Sequence, residues 1–201
     1  MVESGIFYST VLDPVLKQLR KKVSYHVLPN GRIIDIACGT GAQLFELTGL
    51  VDLAIGVDLS DSMIHYAKKM VKKRNLLNVD FSVADATNLS EFYQHKFDVA
   101  ILSLALHQFE PNLRTPVLNE IQKISDKIIV LDYAIPLPKN YVGLASKVAE
   151  FLAGRSHNQN FKDYSQKGGL EPILVENGYF IQKSQTIGKG AFQLVVATNV
   201  F

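Results

Sequence analysis

Cysteine is almost absent from this chain of 201 residues, since Cys38 is its one cysteine. A single thiol cannot form an internal disulfide or supply a cysteine-rich zinc cluster, and the five histidines show no metal-ligand spacing. We therefore expect no metal site, and we expect the protein to work in a reducing compartment, the cytoplasm.

Long apolar runs and a signal-like N-terminus are also missing. No apolar stretch approaches the roughly 20 residues that span a bilayer. Residues 1–8 lack the basic start and apolar core of a secretory signal. The sequence therefore predicts a soluble protein with no membrane partner.

An excess of charge is missing too, because 21 basic and 19 acidic residues leave a formal charge of +2. This near balance gives no general attraction to nucleic acid. A basic cluster occupies residues 68–74, but no aromatic side chains alternate with it to stack on bases, so we interpret it as a solvated helix face. We expect a small-molecule partner, and the sequence leaves the oligomeric state open.

The composition that remains is that of a globular protein. Apolar residues make up 47% of the chain and charged residues 20%, which predicts a packed core rather than disorder. The length suits one domain and falls short of two ordinary ones. We predict a single domain with four parts: an N-terminal helical segment, a central core, a possible lid with a helix, and a terminal hairpin (residues 1–30, 31–135, 136–178 and 179–201).

Apolar runs alternate with amphipathic helical patterns along most of the chain, which predicts a parallel sheet covered by helices on both faces. The helix after residue 60 is predicted to turn Met63, Ala67, Met70 and Val71 inward. Two extended runs, 179–186 and 191–199, are joined by a connection too short for a parallel crossover, so they form an antiparallel hairpin. The predicted fold class is α/β, a doubly wound, Rossmann-like, mostly parallel sheet of seven strands that ends in this hairpin.

Candidate ligand-binding side chains fall at predicted strand ends, where open parallel sheets bind their ligands. Gly39 and Gly41 lack Cβ atoms, so the loop after the first strand can turn sharply and let its backbone approach a ligand. Asp58 follows Gly39 by 19 residues, close to the spacing of about 20 at which a carboxylate accepts hydrogen bonds from a ribose. The pattern predicts a nucleoside site, although a tight turn that binds nothing also uses glycine.

A dinucleotide is the other ligand that such a carboxylate serves. Reading G-x-G-x-x-G from Gly39 places Leu44 at the third glycine, and reading it from Ala37 puts alanine at the first. Neither register matches, and an NAD(P)-binding oxidoreductase stays as an alternative.

The first loop resembles the opening motif of the class I S-adenosylmethionine-dependent methyltransferases, an acidic residue followed by G-x-G-x-G. Here Asp35 is followed by Ala37, Gly39 and Gly41, so alanine replaces one glycine. The chain is most similar in pattern to the small-molecule and quinone-methyltransferase-like branch of that family.

Three later segments resemble further motifs of the same family. Residues 56–60 with Met63 are similar to its ribose-binding segment, and residues 84–86 are similar to its adenine segment. Residues 98–109 resemble its fourth motif, in which residues 106–109 are similar to a Leu-His-His-Phe stretch of small-molecule methyltransferases.

The resemblance implies S-adenosylmethionine as cofactor and methyl transfer to an unidentified small-molecule acceptor. It implies that Asp58 holds the ribose, Asp85 the adenine amino group, and the first loop the methionine part. The implied cofactor-binding set is Asp35, Ala37, Cys38, Gly39, Thr40, Gly41, Asp58, Leu59, Met63, Asp85, Ala86, Ser103 and Leu104. A regulatory protein that binds the cofactor without turnover is an alternative.

The acceptor site is predicted less sharply. By the resemblance His107 lies next to the methyl end, and because histidine titrates near neutral pH we predict it as a general base, with a structural histidine as the alternative. Residues 141–169 are predicted to begin with a helix that buries Leu144, Val148, Phe151 and Leu152. They form either a lid or a surface loop that leads to a helix ended by Asn177 and Gly178. The candidate acceptor residues are Tyr8, Tyr133, His157, Phe161 and Tyr164.

Overall fold

The computed structural model describes residues 13–152 and 154–199, without the side chains of residues 13–15, 147, 149, 151 and 152. The predicted acceptor residue Tyr8 lies outside the described residues. In chain order the elements are α1 (Asp13–Ser24), β1 (Arg32–Ile36), α2 (Ala42–Phe45), β2 (Leu53–Asp58), α3 (Asp61–Arg74), β3 (Val79–Val83), β4 (Val99–Ser103), α4 (Pro111–Ile124), β5 (Lys127–Tyr133), α5 (Tyr141–Leu152), α6 (Arg155–Gln166), α7 (Leu170–Glu176), β6 (Tyr179–Ile187) and β7 (Phe192–Asn199).

The strands form one sheet of seven in the order β3-β2-β1-β4-β5-β7-β6. The first five strands are parallel, and β7 runs antiparallel to both β5 and β6. The predicted fold class and its closing hairpin are therefore confirmed. The strand order reverses between β1 and β4, so the sheet has its topological switch point there.

The central strands are buried because their side chains are apolar on both faces. Ile33, Ile34 and Ile36 in β1 have no exposed surface, as expected for a parallel strand covered on two sides. The same buried cluster includes Val23 of α1 and Leu118 of α4. The core therefore spans the described chain and fixes the carboxyl ends of β1 and β4 in place.

Helix α3 packs on the sheet through much of the predicted face, because Ala67 is buried and Met70 and Val71 are partly buried, but Met63 is an exception. Ile64 and Ala67 are buried one turn apart, whereas Met63 is 38% exposed, so its predicted inward orientation is wrong. Neighbouring helical residues differ by about 100° in direction, and the Ile64 face therefore turns Met63 outward. The basic side chains of residues 68, 69, 72, 73 and 74 are exposed, as predicted.

Helix α5 also buries a different face from the predicted one. Leu144 and Val148 are exposed by 64% and 48%, and the helix buries Ser146 and Glu150 instead. The start of the helix approaches the loop after β5 closely, because a Cβ on Gly143 would lie 2.0 Å from the carbonyl oxygen of Pro138. The side chains of residues 151 and 152 lie outside the described part.

The polar segment after α5 is helical. Residues 155–166 form α6, so the interpretation of this segment as a surface loop is wrong, and Phe161 and Tyr164 lie on the buried face of that helix. Helix α7 ends at Glu176 with Asn177 and Gly178 beyond it, as predicted. Among the described residues no helix combines the length and apolarity needed to cross a membrane.

Candidate active site

The first loop leaves β1 at the switch point and uses its two glycines differently. A Cβ on Gly39 would meet nothing within 4 Å, so this residue faces open space that a ligand can approach. A Cβ on Gly41 would lie 2.3 Å from the Phe81 ring of β3. The expectation that both glycines admit a ligand is therefore corrected for Gly41, whose missing side chain makes room for Phe81.

Two non-glycine residues at the switch point have left-handed backbone. Ala37 follows β1 and Leu104 follows β4, and each has a φ of 55°. For an L-residue this conformation costs roughly 1–2 kcal/mol, and such strain concentrates at functional sites. Both strained residues belong to the predicted cofactor-binding set.

Asp58 organises the loop from the end of β2. Its Oδ2 accepts a hydrogen bond from the Gly39 backbone N–H at 2.8 Å, and its Oδ1 accepts one from the Ser60 N–H at 2.8 Å. Each carboxylate oxygen can accept a second hydrogen bond. Asp58 can therefore hold the loop and still receive two ribose hydroxyls.

Asp35 lies beneath the loop and is 2% exposed. Its Oδ1, like the buried Oγ of Ser103 on β4, has no hydrogen-bond partner among the described residues. Burial, together with the negative charge of Asp58, raises the pKa of Asp35 well above its usual range. A cationic, donor-bearing ligand would satisfy this carboxyl group, and the ammonium of a bound methionine moiety is such a group.

Asp85 lies at the outer end of the half of the site that β1, β2 and β3 form. It is exposed just beyond β3, and its Oδ1 accepts hydrogen bonds from the backbone N–H and the hydroxyl of Thr87. These hydrogen bonds lower the pKa of Asp85. The carboxylate is thus ionised at neutral pH and suited to accept a hydrogen bond from an amino group.

His107 lies in the loop after β4, in the other half of the site, which the ends of β4 and β5 form. Its Nδ1 donates to Asp132 Oδ1 at 2.5 Å, and its backbone N–H donates to Asp132 Oδ2 at 3.1 Å. Both residues are buried. Asp132, on β5, therefore fixes the orientation of the imidazole ring.

Glu150 reaches the opposite edge of the same ring from helix α5. His107 Nε2 lies 3.4 Å from Glu150 Oε1, an ion-pair distance longer than an ordinary hydrogen bond. Burial alone would lower the pKa of His107, but the charges and hydrogen bonds of Asp132 and Glu150 outweigh it and raise the pKa to about 9. At neutral pH the ring is therefore an imidazolium between two carboxylates.

Aromatic rings enclose this ion cluster. The ring of His107 lies edge-on to Tyr133 at 4.8 Å, to Phe161 at 6.2 Å and to Tyr164 at 6.3 Å between centroids. The Tyr164 hydroxyl donates to the Tyr133 carbonyl at 2.8 Å. Three predicted acceptor residues thus surround the predicted base.

Arg114 connects helix α6 to the loop after β4. It is 2% exposed on α4, and it donates to the Leu106 carbonyl, to the Asn160 carbonyl and to Asp163. One guanidinium therefore joins the His107 loop to helix α6.

Comparisons with known proteins point to methyltransferases. A family model described as a methyltransferase domain matches residues 33–126. The demethylmenaquinone methyltransferase of Lactococcus lactis subsp. lactis (strain IL1403) is 27% identical over 186 residues, which cover 83% of this chain and 73% of that protein. The ubiquinone/menaquinone biosynthesis C-methyltransferase UbiE of Blochmanniella pennsylvanica (strain BPEN) is 29% identical over 109 residues, and the match covers 52% of this chain and 42% of that protein.

Solved structures share the fold. A SAM-dependent methyltransferase from Aquifex aeolicus superposes with a TM-score of 0.65 at 16% identity, over 92% of this chain and 89% of that one. The chain contains a methyltransferase domain and shares its fold with S-adenosylmethionine-dependent methyltransferases. Its cofactor is accordingly S-adenosylmethionine.

In this methyltransferase most predicted site residues lie along one edge of the sheet, but His157 does not join them. It is half-buried on α6, and no described ring contact or ion pair links it to His107. Its predicted acceptor role has no support from the described contacts.

Three charged residues of the candidate site, Asp132, Glu150 and Arg114, were not predicted from the sequence. Asp132 interrupts an apolar strand, which is a signal, because a carboxylate buried in a strand needs a partner. Glu150 gave a weaker signal, since it shares a polar stripe with Ser146 opposite the apolar residues of α5. Nothing local marked Arg114.

Proposed function

We propose that this methyltransferase transfers the methyl group of S-adenosylmethionine to a small-molecule acceptor that enters between the loop after β4 and helices α5 and α6. The observation that carries the proposal is the buried cluster of charged and aromatic side chains around His107, which helices α5 and α6 cover. A site covered by two helices suits a small acceptor better than a polymer. Residues 136–178 act as its cover within a single domain.

The cofactor half is proposed to work through the predicted residues. Asp58 receives the ribose hydroxyls, Asp85 the adenine amino group, and Asp35 with residues 37–41 the methionine part. Leu59 and Met63 are exposed beside Asp58, and a bound adenosine would cover these apolar side chains. The remaining proposed contacts come from Ala86, Ser103 and Leu104.

The chemistry that the cofactor supplies is a methyl group activated by a sulfonium charge. The protein's main task is to hold an acceptor atom in line with that methyl group, and such positioning can lower a barrier by roughly 7–11 kcal/mol. The rigid ends of β4 and β5 provide this positioning.

Binding is tested by calorimetric titration with S-adenosylhomocysteine, the demethylated product, and with NAD as the comparison ligand. We expect the first to bind and the second not to bind. Asp58→Asn should weaken product binding at least about tenfold, roughly 1.4 kcal/mol, because it removes an ionised acceptor. Asp61→Asn, an exposed change of the same kind three residues away, should leave the affinity within about twofold. Equal losses in the two variants, or no binding by the wild type, would contradict the assignment.

Transfer is tested with S-adenosylmethionine carrying a labelled methyl group and a cell extract divided into small-molecule and macromolecular fractions. We expect label in the small-molecule fraction. Label confined to the macromolecules contradicts a small acceptor. Cofactor binding without transfer to either fraction contradicts enzymatic turnover and favours a regulatory role.

We also place the protein in the cytoplasm. Cys38 is a free, half-buried thiol beside the cofactor loop, and burial raises its pKa, which keeps it protonated. A lone reduced cysteine suits a reducing compartment. Cell fractionation with an antibody to the protein tests the location, and recovery outside the cytoplasmic fraction contradicts it.

A further inference from the structure

The segment between β3 and β4, residues 84–98, places Asp85 just beyond the edge of the sheet. The sheet holds the first residue of this segment, because the Ala84 N–H donates to the Asp58 carbonyl at 3.1 Å. A second hydrogen bond is local and runs from the Asn88 N–H to the Asp85 carbonyl at 2.9 Å. Exposed turns with few tertiary contacts open readily. The position of Asp85 therefore depends on what holds the segment beyond residue 88.

Glu120 of helix α4 holds the segment immediately after this turn. Its Oε2 accepts hydrogen bonds from the Leu89 backbone N–H at 2.8 Å and from the Tyr93 hydroxyl at 2.7 Å. Its Oε1 accepts one from the Lys123 ammonium at 2.5 Å, and that ammonium also donates to the Tyr93 hydroxyl at 3.2 Å. Glu120 and Leu89 are both buried. The carboxylate therefore ties α4 to two points of the segment.

The hydrogen bonds to Glu120 keep its carboxyl group ionised. Burial alone would raise the pKa of Glu120, but the hydrogen bonds from Lys123, from the Leu89 N–H and from Tyr93 outweigh burial and lower it. A buried N–H group that loses its acceptor costs roughly 1–3 kcal/mol. Any movement of Leu89 away from α4 carries that cost, so this point of the segment is fixed.

Asp85 lies four residues before this anchor. Its Oδ1 accepts from the backbone N–H and the hydroxyl of Thr87, so its Oδ2 is the oxygen that can receive a ligand. N–H···O hydrogen bonds extend over about 2.7–3.2 Å, which leaves an acceptor only about 0.5 Å of freedom. A larger shift of Leu89 would move the turn and carry Asp85 out of reach of a fixed ligand atom.

We propose that Glu120 is a positioning residue for cofactor recognition, which through Leu89 holds Asp85 where it distinguishes adenine from a purine that has oxygen in place of the amino group. The proposal rests on the proposed function, in which Asp85 receives the adenine amino group. It adds the residue on which that selectivity depends. Glu120 acts through the backbone of residues 85–89, because it lies buried on α4 whereas Asp85 is exposed.

The test compares two ligands that differ in one group, S-adenosylhomocysteine and S-inosylhomocysteine, by calorimetric titration. The first presents an amino donor on the purine ring, and the second presents an oxygen acceptor at the same place. An ionised Asp85 accepts from the amino group and repels the oxygen. The wild type should therefore bind S-adenosylhomocysteine at least about tenfold more tightly, roughly 1.4 kcal/mol. Equal affinities in the wild type would overturn the proposal.

Three variants make the test specific to the anchor. Glu120→Met keeps the length of the side chain but removes both acceptor oxygens, and it should reduce the preference to about threefold or less. S-inosylhomocysteine should still bind this variant within about twofold of the wild type, because Asp58 and the first loop are unchanged. Glu120→Gln keeps an acceptor for Leu89, so it should retain the preference. Glu91→Met, the same change at an exposed residue of the same segment, is the control and should retain the preference too.

A merely structural role for Glu120 gives a different result. General destabilisation weakens both ligands equally, and that outcome in Glu120→Met overturns the proposal, as does a preference that survives there. If Glu120→Met does not fold, Glu120→Asp replaces it, because its carboxylate is one methylene shorter and cannot reach Leu89. The preference should fall in this variant as well, and an unchanged preference overturns the proposal.

Hydrogen exchange of the Leu89 amide, followed by nuclear magnetic resonance in the ligand-free protein, reports on the anchor itself. Exchange should be faster in Glu120→Met than in the wild type, and Glu120→Gln should retain the protection. Equal exchange rates in the wild type and Glu120→Met would show that Glu120 does not hold the segment, which overturns the proposal.

Asp85→Asn separates a failure of this proposal from a failure of the proposed function. The new amide can donate to the oxygen of S-inosylhomocysteine, so this variant should lose the preference for S-adenosylhomocysteine. A preference that is lost in Asp85→Asn but retained in Glu120→Met overturns the role of Glu120 alone. If the wild type binds neither ligand, the cofactor assignment fails and the role of Glu120 fails with it.

Discussion

The two halves of the site are built in opposite ways. The half at β1, β2 and β3 consists of turns, backbone donors and carboxylates, and Asp85 and Leu59 are open to solvent. The half at β4 and β5 consists of buried titratable side chains such as His107, Asp132 and Glu150 beneath two helices. The difference teaches that the proposed cofactor half rests on local backbone geometry, whereas the proposed acceptor half depends on side chains brought from distant elements.

The largest expected effect lies in the buried half, at Arg114. Arg114→Met leaves two backbone carbonyls and Asp163 without their donor, and we expect the free energy of unfolding to fall by about 3–5 kcal/mol. Urea denaturation measures this loss. Arg155→Met, an exposed change on helix α6, which Arg114 contacts, should cost less than about 0.5 kcal/mol. A small effect at Arg114 would mean that this residue does not hold helix α6 against the loop after β4.

The open half is probed by its two glycines. Gly41→Ala places a Cβ 2.3 Å from Phe81 in left-handed backbone, and the overlap with the backbone strain should lower the free energy of unfolding by about 2–4 kcal/mol. Gly39→Ala should cost about 1 kcal/mol, from its backbone alone, but should weaken S-adenosylhomocysteine binding. Thermal unfolding and calorimetry separate the two. Equal stability losses would show that the loop does not divide packing from binding.

The stability of the protein should depend on pH through the buried half of the site. Because folding raises the pKa of His107 from 6.5 to about 9, its contribution to stability is complete below pH 6.5 and is lost as the pH rises through about 9. The contribution is at most about 3 kcal/mol. Urea denaturation from pH 6 to pH 10 should show this decline in the wild type. His65→Gln, at an exposed histidine, should keep the decline, and His107→Gln should remove it.

The smallest expected effect is a gain in the free energy of unfolding. Ala37→Gly relieves left-handed strain in the first loop, which we expect to raise the free energy of unfolding by about 0.5 kcal/mol once the greater freedom of unfolded glycine is subtracted. Ala67→Gly, inside helix α3, should instead lose about 1 kcal/mol. Calorimetric melting of both variants measures the difference. A loss at residue 37 as large as that at residue 67 would mean that its φ carries no strain.

Sequence-based prediction succeeded better in the open half of the site than in the buried half. The loop, Asp58 and the closing hairpin were predictable because each rests on a short pattern, and the hydrogen bond from Gly39 to Asp58 spans only 19 residues. The contact of Gly41 with Phe81 was not predictable, since it depends on where β3 lies in the sheet. A glycine motif therefore predicts the turn without telling which glycine faces the ligand.

The arrangement of the proposed acceptor half was not predictable from the sequence. His107, Tyr133, Phe161 and Tyr164 do converge, yet the apolar pattern of α5 indicated the wrong buried face. The buried face contains Glu150 because an ion pair with His107 compensates its desolvation, and that partner lies on another element of the fold. Hydrophobic periodicity alone cannot predict such a pairing.

The position of β7 has a consequence for how the chain is made. This strand is the last described element in sequence, yet it lies between β5 and β6 and pairs with β5 from Lys127 to Tyr133. During synthesis the edge of β5, which carries Asp132, stays unpaired until residues 192–199 have left the ribosome. The open half of the site can form on a nascent chain before β7 is made, whereas the buried half must wait for β7, and until then an apolar strand edge is exposed to chaperones.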